Sequence, residues 1–435
     1  MTGRRYVVLG LASVRAIWPR EVTGWAMAGA LPIEFIKCVS VEEVRARLRS
    51  GRHHSAVLLD SAALGVDRDL LAAVSEADAA TIVIGSDDRD WIELGAHGRL
   101  HEVFSRQDLL DRLAASSTPL GEVIEDSQQV FPDVGPVAFR GRLVAVTGRT
   151  GSGASTLAIA LAQAYGADSS TAGQTILADL ALHGDQALLH DATDIVPGIQ
   201  ELTDGHRSTT MLATQIRQLA YSVPRRRYDL LLGLRRRRDW VAIRPRAFAA
   251  ALDGLLRTYR MVVADVDAEV EGEAQTGSID IEDRNSMART TLEAADLVVA
   301  VGTPGLIGTH GLVQTIDGLV DLGVDTQRIV PVFNVSPRSK RAQADAANAL
   351  AELADTDDEL RGALFLSRSR HLDDAHRNGT TMPTSLTKPL HQTVAAALEE
   401  VDPQDADLFA GGTPQPVKAG SLGTLSHIDR GEAAS

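Results

Sequence analysis

The stretch Gly148-Arg149-Thr150-Gly151-Ser152-Gly153-Ala154-Ser155-Thr156 constrains this chain more than any other. The apolar run Arg142-Leu143-Val144-Ala145-Val146-Thr147 leads into it and reads as a buried strand. Leu157-Ala158-Ile159-Ala160-Leu161-Ala162 leads out with a helical pattern. Strand, glycine-rich turn and helix together form the setting of a phosphate-binding loop. Glycines let successive backbone N–H groups converge on one anion, and the helix N-terminus adds its dipole. The spacing agrees with G-x-x-x-x-G-K-[ST] at every position but Ala154, which stands where the lysine belongs. That lysine reaches the β- and γ-phosphates in phosphoryl transfer. Ala154 keeps only a backbone N–H, so the pattern predicts phosphate binding with slow hydrolysis. An ordinary Gly/Ser strand-to-helix turn is the alternative.

A chain of 435 residues, 44% hydrophobic and 23% charged, can bury two cores. Its single cysteine, Cys38, cannot form an internal disulfide and suits a reducing cytoplasm. No apolar run approaches the length that spans a bilayer, so no integral membrane segment is expected. Tyr6–Leu11 follows Arg4-Arg5 in the manner of a leader, but it is short and is followed by Arg15 and Arg20, so a first strand is expected there. The net charge of −15 opposes global attraction to DNA or anionic lipid. Arg225-Arg226-Arg227 and Arg235-Arg236-Arg237-Arg238, with Trp240 beyond, are local exceptions. Such clusters grip phosphate backbones, as in DNA binding, or pair with acids such as Glu269, Glu271 and Glu273. The histidines show no metal spacing, and His53-His54 reads as a surface turn.

Apolar runs alternating with helical patterns predict two doubly wound α/β domains with parallel sheets. The first, residues 1–115, has strands expected at Tyr6–Leu11, Glu34–Cys38, Ala56–Leu59, Thr81–Ile84 and Glu102–Phe104. Its plan is flavodoxin-like and resembles a response-regulator receiver domain, with Asp60 at the phosphoacceptor position. Leu9-Gly10-Leu11-Ala12-Ser13 lacks the receiver's acidic pair, and Ser105 stands at its lysine position. Asp60 is therefore expected to serve a turn or a helix cap in a degenerate receiver. Residues 116–141 read as a linker, 142–401 as the second domain and 402–435 as a disordered tail. The second domain's strands are expected at Leu143–Thr147, Thr175–Ala178, Leu230–Leu232, Met261–Ala264, Leu297–Val301, Ile329–Phe333 and Ala363–Leu366.

Tyr259-Arg260-Met261-Val262-Val263-Ala264-Asp265 is an apolar strand ending in a carboxylate. Beside a phosphate loop it resembles the element that holds Mg²⁺, with the Ser155 hydroxyl as the matching ligand. These features, with Asp296-Leu297-Val298-Val299-Ala300-Val301-Gly302-Thr303-Pro304 and Val332-Phe333-Asn334, resemble the MinD/ParA family of deviant Walker ATPases. Within that family the order of domains resembles the CpaE/TadZ and actinobacterial septum-site-determining (Ssd-like) proteins.

The resemblance implies a P-loop NTPase fold and ATP with Mg²⁺ as cofactors. It implies nucleotide contacts from Gly148 through Thr156 and from Asn334, and metal contacts from Ser155 and Asp265. The family's signature lysine falls on Arg149, which keeps a positive charge able to act across a dimer. The alternative for Arg149 is a solvated loop arginine. The family's switch acid falls on Ala181 in Asp179-Leu180-Ala181, ahead of Gly184-Asp185. Losing both the lysine and this acid predicts at best a weak ATPase. The implied protein is a cytoplasmic, polar or septal homodimer that positions division or Tad/Flp pilus machinery. A slow ATPase switch and a ParA-like partition protein on DNA are the alternatives.

Overall fold

The computed structural model describes residues 6–13, 15–50, 52–117, 139–354 and 360–401. The expected tail, and all but the ends of the expected linker, lie outside the described residues. Two parallel-sheet α/β units are present. In the first, β1 (Tyr6–Leu11), β2 (Ile33–Cys38), β3 (Ala56–Asp60), β4 (Ala80–Ile84) and β5 (Gly98–Leu100) form a sheet in the order β2-β1-β3-β4-β5, with every pairing parallel.

The second unit is larger. Its strands are β6 (Arg142–Gly148), β7 (Thr175–Asp179), β8 (Tyr221–Val223), β9 (Tyr228–Leu231), β10 (Met261–Val266), β11 (Leu297–Gly302), β12 (Ile329–Ser336) and β13 (Leu364–Ser367). Their order is β13-β12-β11-β6-β10-β7-β9-β8, parallel except for the terminal β8–β9 hairpin. Helices cover both faces, which is why these strands are apolar runs without polar alternation. Alternate β6 residues serve opposite layers, Leu143 and Ala145 one core and Val144 and Val146 the other. The helix Ala154–Ala167 is apolar almost all round, because it lies between the sheet and the helix Thr384–Val401. Each large side chain withdrawn into these layers contributes about 1.5–3 kcal/mol. Among the described residues no helix is long and apolar enough to cross a membrane.

The structure corrects several expectations. The fifth strand of the first unit is Gly98–Leu100, and 102–104 is irregular, with Val103 87% exposed. The antiparallel β8 was not expected. His54 is buried, not part of a surface turn. Arg226 is 1% exposed, so it is not part of a surface patch. Arg235 pairs with Glu201, whereas Glu269 pairs with Arg284. Asp60 accepts from the Ser13 backbone at 3.0 Å, the Ser13 hydroxyl at 2.8 Å and the Ala62 backbone at 2.9 Å. It therefore clasps the ends of β1 and β3, as a turn residue does. Ser105 caps the helix Arg106–Ser116.

Candidate functional site

β6 lies between β10 and β11, so the turn that follows it emerges over the carboxyl ends of three strands. In parallel sheets ligands collect at that edge. The turn then enters the helix Ala154–Ala167 through Gly153, at φ +89°. No side chain caps this helix, and its first turn carries no acid, so its leading N–H groups remain for a ligand or solvent. A Cβ on Gly153 would stand 2.3 Å from Asn334 Nδ2, so both the backbone angle and the space demand glycine. Arg149, Thr150 and Gly151 are exposed, while Ser152 is buried and its hydroxyl has no partner.

Asn334, two residues before the end of β12, donates from Nδ2 to the Ser152 carbonyl at 2.9 Å, and its Oδ1 accepts from the Val335 backbone. It supports the loop from beneath. Arg149 extends over the helix Leu306–Asp321 and donates from Nη1 to Gln314 Oε1 at 2.9 Å. Thr156 Oγ1 lies 3.2 Å from His376 Nε2, a residue that sequence reasoning missed. Burial holds His376 below the usual histidine range, and the nearby Arg226 adds to the effect.

Two carboxylates end adjacent strands beside this loop. Asp265 of β10 is in register with Asp179 of β7, and both are almost wholly buried. Burial pushes Asp265 up to about 6, against hydrogen bonds from Gln186 and Ser155 that favour its charge. Burial and the neighbouring Asp265 carboxylate push Asp179 well above the ordinary range. Ala181, where the resemblance implies the switch acid, is also buried and brings no acid.

The structure thus brings together Ser155 and Asp265, the pair expected to hold Mg²⁺. It also places Gln186 between them, with Nε2 2.7 Å from Asp265 Oδ2 and 3.2 Å from the Ser155 carbonyl. An N–H₂ group on that oxygen belongs to a site satisfied by a donor, so the side chains present do not fit a divalent cation. Gln186 carried no recognisable signal beyond following Gly184-Asp185. The loop itself fits a phosphate through its backbone. A separate cavity of about 1200 Å³ lies at the carboxyl ends of β1 and β3, next to Asp60 and Arg207, away from the loop.

No protein-family model matches the chain, and no curated protein matches it. Among solved structures it is similar to a ParA family ATPase from Chlorobium tepidum TLS, at 14% identity and a TM-score of 0.48, over 58% of this chain and 98% of that one. It is similar to a protein named for plasmid partition from Borrelia burgdorferi B31, bound to AMPPNP, at 13% identity and a TM-score of 0.42, over 60% and 98% of the two chains. It is also similar to the signal receiver domain of the response regulator NarL from Mycobacterium tuberculosis, at 19% identity and a TM-score of 0.21, over 26% and 98%.

Proposed function

We propose that the loop Gly148–Thr156 holds a nucleoside phosphate, ATP or its product, and that the chain acts as a positioning scaffold with little hydrolysis. One observation carries the reading. The helix Ala154–Ala167 begins without a side-chain cap, behind a left-handed Gly153 and beside the buried, unpartnered Ser152 hydroxyl. Converging N–H groups and a helix dipole stabilise an anion of phosphate size. Ala154 in place of lysine and Ala181 in place of an acid remove two groups that stabilise charge in phosphoryl transfer. Each such group is worth roughly two to three orders of magnitude in rate. The resemblance to CpaE/TadZ and Ssd-like proteins supports a cytoplasmic homodimer, polar or septal, that serves division or pilus machinery. Of the basic clusters that would favour DNA, Arg226 is buried and Arg235 is engaged by Glu201, while Arg225, Arg227 and Arg236 to Arg238 stay exposed, so DNA binding remains the alternative with a reduced basic patch.

Calorimetry of the full chain with ATP and ADP tests the binding, alongside Ser155→Ala and Ala154→Lys. Micromolar binding that tightens in Ala154→Lys supports the reading. Binding by neither the wild type nor Ala154→Lys overturns it.

Arg149 supports a narrower second reading, a slow ATPase completed across a dimer. Arg149 is exposed, and among the described residues its side chain is tethered to Gln314. Residual turnover should then rise with protein concentration and vanish in Arg149→Ala. Turnover unchanged in that variant removes the reading.

A further inference from the structure

Gln186 is 0% exposed, at the start of the short helix Gln186–Leu189. Its backbone N–H donates to Asp179 Oδ2 at 3.2 Å, and its side-chain Nε2 bridges Asp265 Oδ2 and the Ser155 carbonyl. A carboxylate and a carbonyl both accept, so the amide must turn its N–H₂ toward them, and both hydrogens are engaged. The other amide atom, Oε1, is buried without a partner. An uncharged side chain is thus wedged between the first turn of the loop helix and the ends of two acidic strands.

A divalent cation serving the loop would need the same Asp265 oxygen. It would meet the positive end of the Gln186 amide there, and among the described residues Gln186 Nε2 donates to no acceptor besides these two. The two buried carboxylates have the N–H groups of Gln186 as donors in place of a positive ion.

We propose that Gln186 replaces the cation at this site, so that the loop takes nucleoside di- and triphosphates as metal-free anions with little preference between them. This rests on the nucleotide reading above. A lysine and a cation would both reach the outer phosphates, where ADP and ATP differ. Ala154 removes the first and Gln186 excludes the second. The remaining contacts from the loop around the phosphates that both nucleotides possess are backbone N–H groups and the Ser152 hydroxyl, with Arg149 held to Gln314. The site is a holder of nucleotide, indifferent to its hydrolysis state.

The test is calorimetry of the full chain with ATP and with ADP, each in excess Mg²⁺ and in EDTA. Gln186→Ala and the volume-matched Gln186→Met are run in parallel. The wild type is expected to bind all four forms within about tenfold of one another, a difference of about 1.4 kcal/mol. Gln186→Ala, or Gln186→Met should the first not fold, is expected to bind more tightly in Mg²⁺ than in EDTA. Wild-type binding that requires Mg²⁺ overturns the inference and leaves the nucleotide reading standing. A variant without Mg²⁺ preference also overturns it. Should no form bind nucleotide, the loop reading fails, and Mn²⁺ followed by electron paramagnetic resonance still decides the role of Gln186. Uptake by the variant and not by the wild type supports it, and any other pattern overturns it.

Discussion

Asp69 Oδ2 accepts a hydrogen bond from the Ala247 backbone N–H at 3.2 Å, across the boundary between the two units. Its Oδ1 takes the Arg246 N–H at 3.0 Å. The helix Pro245–Thr258 opens with a proline, which has no N–H, and its N-cap Arg244 makes no side-chain capping bond. The smaller unit therefore caps a helix of the larger unit. Asp67 adds an ion pair to Arg207 at 2.9 Å, and Glu76 pairs with Arg246.

Asp69→Ala should cost about 1–2 kcal/mol, the value of an N-cap. Glu76→Gln breaks a pair of which both members are more than half exposed, and should change stability by less than about 1 kcal/mol. Urea denaturation compares the two. Equal effects would mean that the buried carboxylate is not what joins the units.

Burial also sets opposed pH dependences beside the loop. Asp265 holds its proton up to about 6 instead of 3.8, so the folded chain binds more protons in that window. Its contribution to stability rises as pH falls through 6. His190 is pushed down to about 4 from 6.5 by burial, so there the folded chain binds fewer protons. Its contribution falls as pH drops through 6.5. Each shift corresponds to about 3 kcal/mol over its window, so the two largely cancel. Asp265→Asn should be most stabilised relative to wild type at neutral pH, with the difference shrinking below pH 6. Denaturant midpoints across that range measure it, and a difference that does not vary with pH contradicts the assignment.

How much of this was legible follows from separation in the chain. The loop and the strand carrying Asp265 are legible as elements because each is written in contiguous residues, an apolar strand followed by a turn or an acid. The pairing of Asp265 with Asp179 followed only from the strand order, which puts β10 between β6 and β7. Gln186 acts through a chain reversal that places it against Ser155, and a lone glutamine in a four-residue helix carries no pattern. His376 meets Thr156 across 220 positions. The fifth strand was misplaced because Val103 is apolar yet exposed, whereas the true three-residue strand contains Gly98 and Arg99. Asp69 carries no sequence signal because the N–H groups it caps, those of Arg246 and Ala247, lie 177 and 178 positions away.

Asn334 distinguishes support of the loop from contact with a base. Its Nδ2 is bonded to Ser152 O and stands in the space a Gly153 side chain would need. Asn334→Ala should weaken ATP, GTP and inorganic triphosphate alike, by about tenfold for a loss of about 1–1.5 kcal/mol. Calorimetry with the three ligands reads the pattern. A loss confined to one nucleobase would return Asn334 to the base-contacting role that family resemblance implies.

Arg226 reaches the loop at one remove. Its Nε donates to Thr380 O at 2.9 Å and its Nη2 to Ala375 O at 3.2 Å. These bonds fix the short helix Leu372–Arg377, which carries His376 to Thr156. Arg226→Met fills much of the volume but leaves two carbonyls without their donors, at about 2–4 kcal/mol. Arg226→Lys restores one point charge and cannot span both carbonyls, so it should recover less than half of the loss. Because Arg226 contributes to holding His376 down, His376 should titrate higher in the methionine variant, which proton NMR of the ring reads directly. Arg225→Ala, on the exposed side of the same cluster, should change stability by no more than about 0.5 kcal/mol. If Arg225 and Arg226 behaved alike, the cluster would be a surface feature after all, and the path from Arg226 through His376 to the loop would have no energetic content.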